Sequence, residues 1–349
     1  MNVKFGVVDY RYNHARKFKR HLAKKGEYSI NVGDCVQSLT VRRLLQSSGI
    51  AEEDILSVNR DALPSYKGPA VKLVMNGCFY SHCFPLSKHV EPVFIGFNTS
   101  DEAMVRKHKK FFRQHEPIGC RDVETTALMT RHGIRAFTSG CLTMTLPTRS
   151  QSPDPGKVFI VGGAASGILP ETLLEHVPAN LRDGSIRLTQ RMPMKVFPMG
   201  DSEVHQAESV AADFLQRYRD EASLVITPLL HAASPCLGMG IPVVLARIDQ
   251  NSRFSAIRKI IPVHTPEDFS QINWNPEVAD VSALKSALCQ LVRKRLLENT
   301  WCTESMDALS GFYDQDLAER VAAHGKAPGS SEKSKLYRFL HLYWLRDRH

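Results

Sequence analysis

The chain has 349 residues, 43% of them hydrophobic and 23% charged, with a formal charge of +9. That is long for a single core and too apolar for a disordered polymer. The charge favours anionic partners without choosing among phosphorylated metabolites, anionic lipid and nucleic acid. No apolar run approaches the ~18 residues that a membrane-spanning helix needs.

The opening MNVKFGVVDY reads as a first strand rather than a signal peptide. Short apolar runs then recur, each followed by turn residues and a helix-like stretch: 3–10, 71–77, 92–98 and 135–140. The basic stretch 10–28, YRYNHARKFKRHLAKKGEY, reads as a loop at the edge of a crevice. TRSQSPDPGK (148–157) is the best linker. The strand pattern restarts at 158–163, 186–190, 223–228, 242–247 and 259–263. Strands alternating with helices predict parallel sheets, and two such blocks predict an α/β chain of two doubly wound domains facing a cleft. The expected division is 1–150, 151–280, closing helices over 281–324, then a tether and a basic aromatic tail over 325–349. The tail reads either as a helix docked on the protein or as an interfacial helix on anionic lipid. Its second reading would place the protein at the inner face of a membrane.

Eight cysteines are scattered through the chain with no C-x-x-C pair, and most stand in apolar runs. This suits a reducing cytoplasm, and no metal site is expected. A reader motif for nucleic acid is also lacking, so no nucleic-acid partner is expected.

Six stretches carry polar groups where ligands of α/β proteins bind. Asn31-Val32-Gly33-Asp34 precedes an amphipathic helix. Its free N–H groups favour an anion, with Asp34 either the N-cap or, with Gln37, facing a sugar hydroxyl. Strand ends supply Asn76-Gly77 and Asn98. Arg121 opens a helix, where the dipole disfavours it, so a nearby carboxylate or a structural role explains it better; ligand contact is the other reading. Ser139, Gly140 and Thr143 fall at another strand end. Gly162, Gly163 and Gly167 resemble a phosphate cradle, although no P-loop signature follows. In the sixth, LVIT ends at Thr227, Pro228 sets a turn, and His231 falls in the first turns of a helix, with Arg253 further on. A lone histidine among small residues is either a packed core group or an imidazole aimed at an anion.

The ordered set INVGDCVQSLTVRRLL, VMNGCF, PIGCRD, SGCLTMTLP, SLVITPLLHAASPCLGMGIPVV and NSRFSAIRKIIPV, over residues 29–276, resembles the polysaccharide pyruvyl transferase family. The resemblance implies a GT-B-like fold of two facing Rossmann-type domains. It implies transfer of the enolpyruvyl group of phosphoenolpyruvate to a sugar hydroxyl of a surface polysaccharide or its lipid-linked precursor, usually closing a ketal, with no metal or other cofactor. It also places the donor site at an Arg-Leu-His triplet, here Leu229-Leu230-His231. The arginine is replaced by leucine. The family's triple-glycine strand end reads Asn76-Gly77-Cys78, and Asn98 stands where similar members carry histidine.

Leucine offers a phosphate or carboxylate no charge, so Arg253, Arg191 or Lys195 must serve the donor, or the donor differs. On this reading His231 is the acid or phosphate contact, Asp34 orients the acceptor, and backbone N–H groups with Arg253 hold the phosphate. The alternatives are a glycosyltransferase on the same scaffold with a nucleotide-sugar donor, and a non-enzymatic binding or scaffolding relative.

Overall fold

The computed structural model describes residues 3–163 and 167–323 as a mixed α/β chain built on parallel sheets. The tether and tail expected over 325–349 lie outside the described residues. The first half runs β1 (Lys4–Asp9), α1 (Arg16–Lys25), β2 (Tyr28–Asn31), α2 (Val32–Ser47), β3 (Ile55–Asn59), β4 (Val71–Val74), β5 (Gly77–Cys78) and β6 (Val90–Val93). It continues through β7 (Phe97–Asn98), α3 (Glu102–Lys107), α4 (Lys109–Gln114), β8 (Ile118–Cys120), α5 (Val123–Arg131) and β9 (Ala136–Thr138). The second half runs β10 (Lys157–Gly162), α6 (Glu171–His176), α7 (Ala179–Arg182), β11 (Ile186–Thr189), β12 (Arg191–Met194), α8 (Asp201–Glu221), β13 (Ala222–Thr227), α9 (Leu230–Gly238), β14 (Val243–Ala246) and β15 (Val263–His264). Helices α10 (Ser282–Arg293), α11 (Thr303–Tyr313) and α12 (Leu317–Ala323) follow.

Three sheets are parallel: β3-β1-β4-β6, β5-β7-β8-β9 and β11-β10-β13-β14-β15. A fourth, β12-β2, is antiparallel and joins the two halves, with Arg191 opposite Asn31. The return crossing continues into α8. Met192, Met194, Val204, Ala207 and Ala211 pack into an apolar cluster with Tyr28, Ile30 and Val32. Val204, Ala207 and Ala211 fall three and four apart, so one helical stripe is buried. Another cluster joins Val7, Val41 and Leu45 to Phe159, Val225, Ala232 and Leu288. Each fully buried side chain of this size contributes ~1.5–3 kcal/mol of transfer free energy. The halves therefore share their packing rather than touching only at a linker.

Three local expectations are corrected. The basic stretch 10–28 is mostly helix: Phe18 and Leu22 anchor α1, and Gly26 ends it at φ +73°. Asp34 is not the N-cap of α2; Asn31 is, its Oδ1 accepting from the Gly33 N–H at 3.1 Å. The apolar run 259–263 does not form a strand throughout. Ile257–Lys259 is a 3₁₀ turn, and only Val263 and His264 pair with β14. Pro262 has no N–H to donate to a ladder. Among the described residues no helix is long and apolar enough to cross a membrane.

Candidate functional site

Strand β13 ends at Thr227, whose hydroxyl donates to the Val161 carbonyl at 2.9 Å and accepts from the Leu229 N–H at 3.1 Å. This locks the turn into α9 and sets His231 in its first turn. Gln190 ties three elements together at the same point. Its N–H donates to Gly162 at 2.9 Å, its carbonyl accepts from Val32 at 3.1 Å, and its side-chain amide donates to the His231 carbonyl at 3.1 Å. A Cβ on Gly33 would lie 3.0 Å from the His231 Cβ. The glycine thus lets the start of α2 approach the start of α9. At the other end Thr143 donates to Ser234 at 2.8 Å.

His231 is 5% exposed, and its Nε2 is buried with no partner among the described residues. Burial, and then the charges of Arg121 and Arg253, push its pKa well below the ordinary histidine range. The free protein therefore holds a neutral imidazole with an unsatisfied ring nitrogen. Such a group costs free energy until something bonds to it. It borders a cleft of ≈160 Å³ whose walls include Asn31, Leu229, Arg191, Arg247 and Arg253. The imidazole is packed, yet it stands at a concave polar opening.

The three arginines differ in freedom. Arg191 donates to the Ser29 carbonyl. Arg247 donates to the Pro228 carbonyl and to Asp249 Oδ1 at 3.0 Å, and lies over the Phe254 ring at 4.0 Å. Arg253 is exposed, and among the described residues its side chain meets only Cys78 Sγ, at 3.5 Å. Arg253 also borders a second hollow, of ≈370 Å³, with Asn98, Thr99, Tyr80, Asp122 and Arg131. One guanidinium thus lies between two spaces.

The glycine loop and Leu229 explain each other. Cβ atoms built on Gly163 and Gly167 would lie 3.0 and 2.6 Å from Leu229 Cδ2. The leucine fills the space beside the two glycines, so the cavity's charge comes from Arg191, Arg247 and Arg253.

Of the residues singled out from sequence, Asn31, Gly163, Gly167, Arg191, His231 and Arg253 meet in the smaller cleft, and Asn98 joins Arg253 in the larger hollow. Asp34 stands just behind Asn31. Its carboxylate accepts from Tyr12 at 2.9 Å and from Asn31 Nδ2 at 3.2 Å. Three polar side chains are engaged inside the protein, and a half-buried glycine lies in a strand. Thr227 is fully buried by the bonds above, and Ser139 is fully buried, accepting from Gly96 N–H at 3.0 Å and donating to Cys120. Gln37 is buried, donating to Tyr10 at 3.3 Å, while Gly162 is spent in strand β10. Gly77 adopts φ +149°, which L side chains rarely take up, and a Cβ there would also run into the Tyr10 hydroxyl. Asn76 is 2% exposed with both amide atoms unpartnered among the described residues. Arg121 is 2% exposed beneath Arg253, donating to Gln37 at 3.4 Å and to Cys78 Sγ at 3.2 Å. Arg247 and Gln190 were not singled out from sequence. Arg247 reads there as the polar end of a buried strand.

One cluster among the described residues brings metal-ligating types together, Asp61, His82 and Cys83. Its carboxylate is already engaged by Arg60 Nε at 2.8 Å and His82 Nε2 at 3.1 Å. The hydrogen bond to Asp61 pushes His82 up to about 9. Burial raises Asp61, but His82 and Arg60 outweigh it and hold the carboxyl at about 2. A raised histidine pKa gives stability that is complete below ~6.5. That stability is lost as pH rises through about 9. Urea midpoints measured between neutral and alkaline pH should fall over that window in the native protein and less in His82→Gln.

The cleft of this mixed α/β protein sets a buried imidazole, whose Nε2 has no partner among the described residues, beside Arg191, Arg247 and Arg253. A family model, polysaccharide pyruvyl transferase, matches residues 31–249. The chain belongs to that family, which is a family of transferases. No curated protein and no solved structure matches it.

Proposed function

We propose that the protein is a pyruvyltransferase that takes phosphoenolpyruvate in the His231 cleft and passes its pyruvyl unit to a saccharide held in the hollow beyond Arg253. On this reading the two parallel-sheet halves act as the facing Rossmann-type walls of a GT-B-like enzyme. The acceptor is a polysaccharide or its lipid-linked precursor, presented from the cytoplasm or the inner face of a membrane. The observation that carries the reading is that one cleft pairs a His231 Nε2 unpartnered among the described residues with an Arg253 that forms no ion pair among them.

The chemistry follows from the charges. Phosphoenolpyruvate presents two anionic groups, and Arg253, backed by Arg191 and Arg247, supplies the cations that Leu229 does not. An anion against His231 opposes the field of Arg121 and Arg253, so binding raises the imidazole pKa toward neutrality. The imidazolium then has a proton to give to the donor's methylene carbon, which becomes the methyl group and leaves its neighbour electron-poor. A sugar hydroxyl bonds to the carbon left electron-poor and loses its proton. Phosphate departs with the C–O bonding pair, and a second hydroxyl closes the ketal. Asp34, fixed by Tyr12 and bonded to Asn31, acts on the acceptor only through Asn31 at the wall of the donor cleft.

His231 should therefore titrate below its ordinary range in the free protein and higher with phosphoenolpyruvate bound, which ring-carbon NMR against pH reads directly. Its depressed pKa also means that stability falls as pH drops below ~6.5, where the unfolded state takes up the proton first. Incubation with phosphoenolpyruvate and candidate oligosaccharides should release phosphate and add a pyruvyl mass to the glycan. Turnover with a nucleotide sugar in its place would instead make the protein a glycosyltransferase, the reading that the lost arginine favours.

A further inference from the structure

All eight cysteines are free, and six are buried; Cys78 and Cys289 are half-buried. Cys78 ends β5 and borders the hollow of ≈370 Å³. Its sulfur receives Arg121 Nη2 at 3.2 Å and Arg253 Nη2 at 3.5 Å, while its S–H donates to Asn98 Oδ1 at 2.7 Å. Among the described residues neither guanidinium forms an ion pair with a carboxylate. A thiol that meets two guanidiniums at a partly open surface has the surroundings of a reactive cysteine, with Asp122 the carboxylate whose charge reaches both cations. Two further observations mark the place as built for an anion. The Nε of Arg121 is buried without a partner, although its residue is only 2% exposed. Burial first, and then the same two arginines, depress His231, whose Nε2 is also unpartnered among the described residues.

We propose that Cys78 is a modification site, oxidised by hydroperoxides to a sulfenic acid that closes the anion cleft. The thiolate sulfur attacks one peroxide oxygen. The S–O bond forms as the O–O bond breaks, so sulfur is oxidised and the peroxide is reduced. The leaving oxygen takes the thiol's proton and departs as water or an alcohol. The new oxygen sits between Arg121 and Arg253 and competes with the donor for Arg253. Two equivalents of a small thiol reverse the change, ending as a disulfide with release of water. Cys289 lacks this setting, because burial is the chief influence on it and raises its pKa. The proposal rests on the anion-binding part of the proposed function, not on the identity of the acceptor.

The test uses the full chain and peptide mass spectrometry. Cys78 should react with iodoacetate about tenfold faster than Cys289, with a preference for iodoacetate over neutral iodoacetamide that Arg253→Gln removes. Dimedone trapping after hydrogen peroxide should mark Cys78. Calorimetry should show phosphoenolpyruvate binding lost on peroxide treatment and restored by dithiothreitol. In Cys78→Ala, treated and untreated samples should bind alike. Should that variant not fold, protection of Cys78 from iodoacetate by phosphoenolpyruvate in the native protein gives the same answer. Equal labelling of Cys78 and Cys289, or a fully oxidised Cys78 with unchanged affinity, overturns the proposal. Failure of the untreated protein to bind phosphoenolpyruvate would sink the donor assignment instead, and the labelling ratio would still decide the role of the thiol.

Discussion

Arg253→Ala weakens phosphoenolpyruvate binding about 100-fold, the loss expected when ~1.5–3 kcal/mol of charge-assisted hydrogen bonding is removed. The magnitude follows from the arginine's setting. Its side chain has no carboxylate partner among the described residues, so its charge is not committed elsewhere. The other two cations of the cleft are partly engaged, Arg191 by Ser29 and Arg247 by Pro228 and Asp249. Because Arg253 is exposed, its removal leaves the urea midpoint nearly unchanged. Lysine at this position should recover only part of the affinity, since an ammonium cannot make the paired bonds of a guanidinium. Isothermal calorimetry on native, R253A and R253K proteins checks both statements. Equal affinity in all three would remove Arg253 from the donor site.

Gly238→Ala is expected to cost about 2 kcal/mol of stability and to weaken donor binding with it. In an open helix, alanine would gain ~1 kcal/mol over glycine. Here Gly238 ends α9 against the backbone of Met144. A Cβ would stand 2.8 Å from the Met144 carbonyl carbon and closer still to its oxygen. Backbone cannot swing aside as a flexible side chain would, so overpacking outweighs propensity. Relief of the clash must shift α9 or the turn Leu142–Thr145. Thr143 bonds to Ser234 on that helix, three residues after His231. The strain therefore reaches the imidazole. Urea denaturation gives the stability loss, and calorimetry on the folded fraction shows whether affinity drops with it. An unchanged midpoint would mean that the helix and turn are not pinned as described.

How much of this was legible depended on how local each signal was. Strands such as Lys157–Gly162 and Ala222–Thr227 announce themselves as apolar runs closed by glycine or proline. The helix after Asn31 is equally plain, although the sequence offers Asp34 as a candidate cap three residues beyond the true one. Asp and Asn both cap well, and only the bond from the Gly33 N–H decides between them. The pairing of β2 with β12 was not readable. It joins positions some 160 residues apart, and Pro193 inside β12 argues against a strand unless it lies on an edge. Helix α1 was hidden by its charge, because Phe18 and Leu22 are too few to make an apolar stripe.

In the site, His231 and Arg253 were found because a polar residue after an apolar strand is conspicuous. Arg247 ends the run VVLAR and looks like a strand terminus, so only the folded chain brings it to the cleft wall. Ser139 and Thr227 look like Asn98 in sequence, polar residues at the end of an apolar strand. Sequence alone could not show that their hydroxyls are spent on neighbouring backbone. The leucine at 229 reads from sequence as a lost charge. In the fold it is the filling of a glycine loop.

A crystal structure of the protein soaked with phosphoenolpyruvate addresses the donor site most directly. It should show the phosphate or carboxylate within hydrogen-bond distance of both His231 Nε2 and the Arg253 guanidinium, with Leu229 still packed on Gly163 and Gly167. Density for the donor anywhere else, with that ring nitrogen still unpartnered, would contradict the reading.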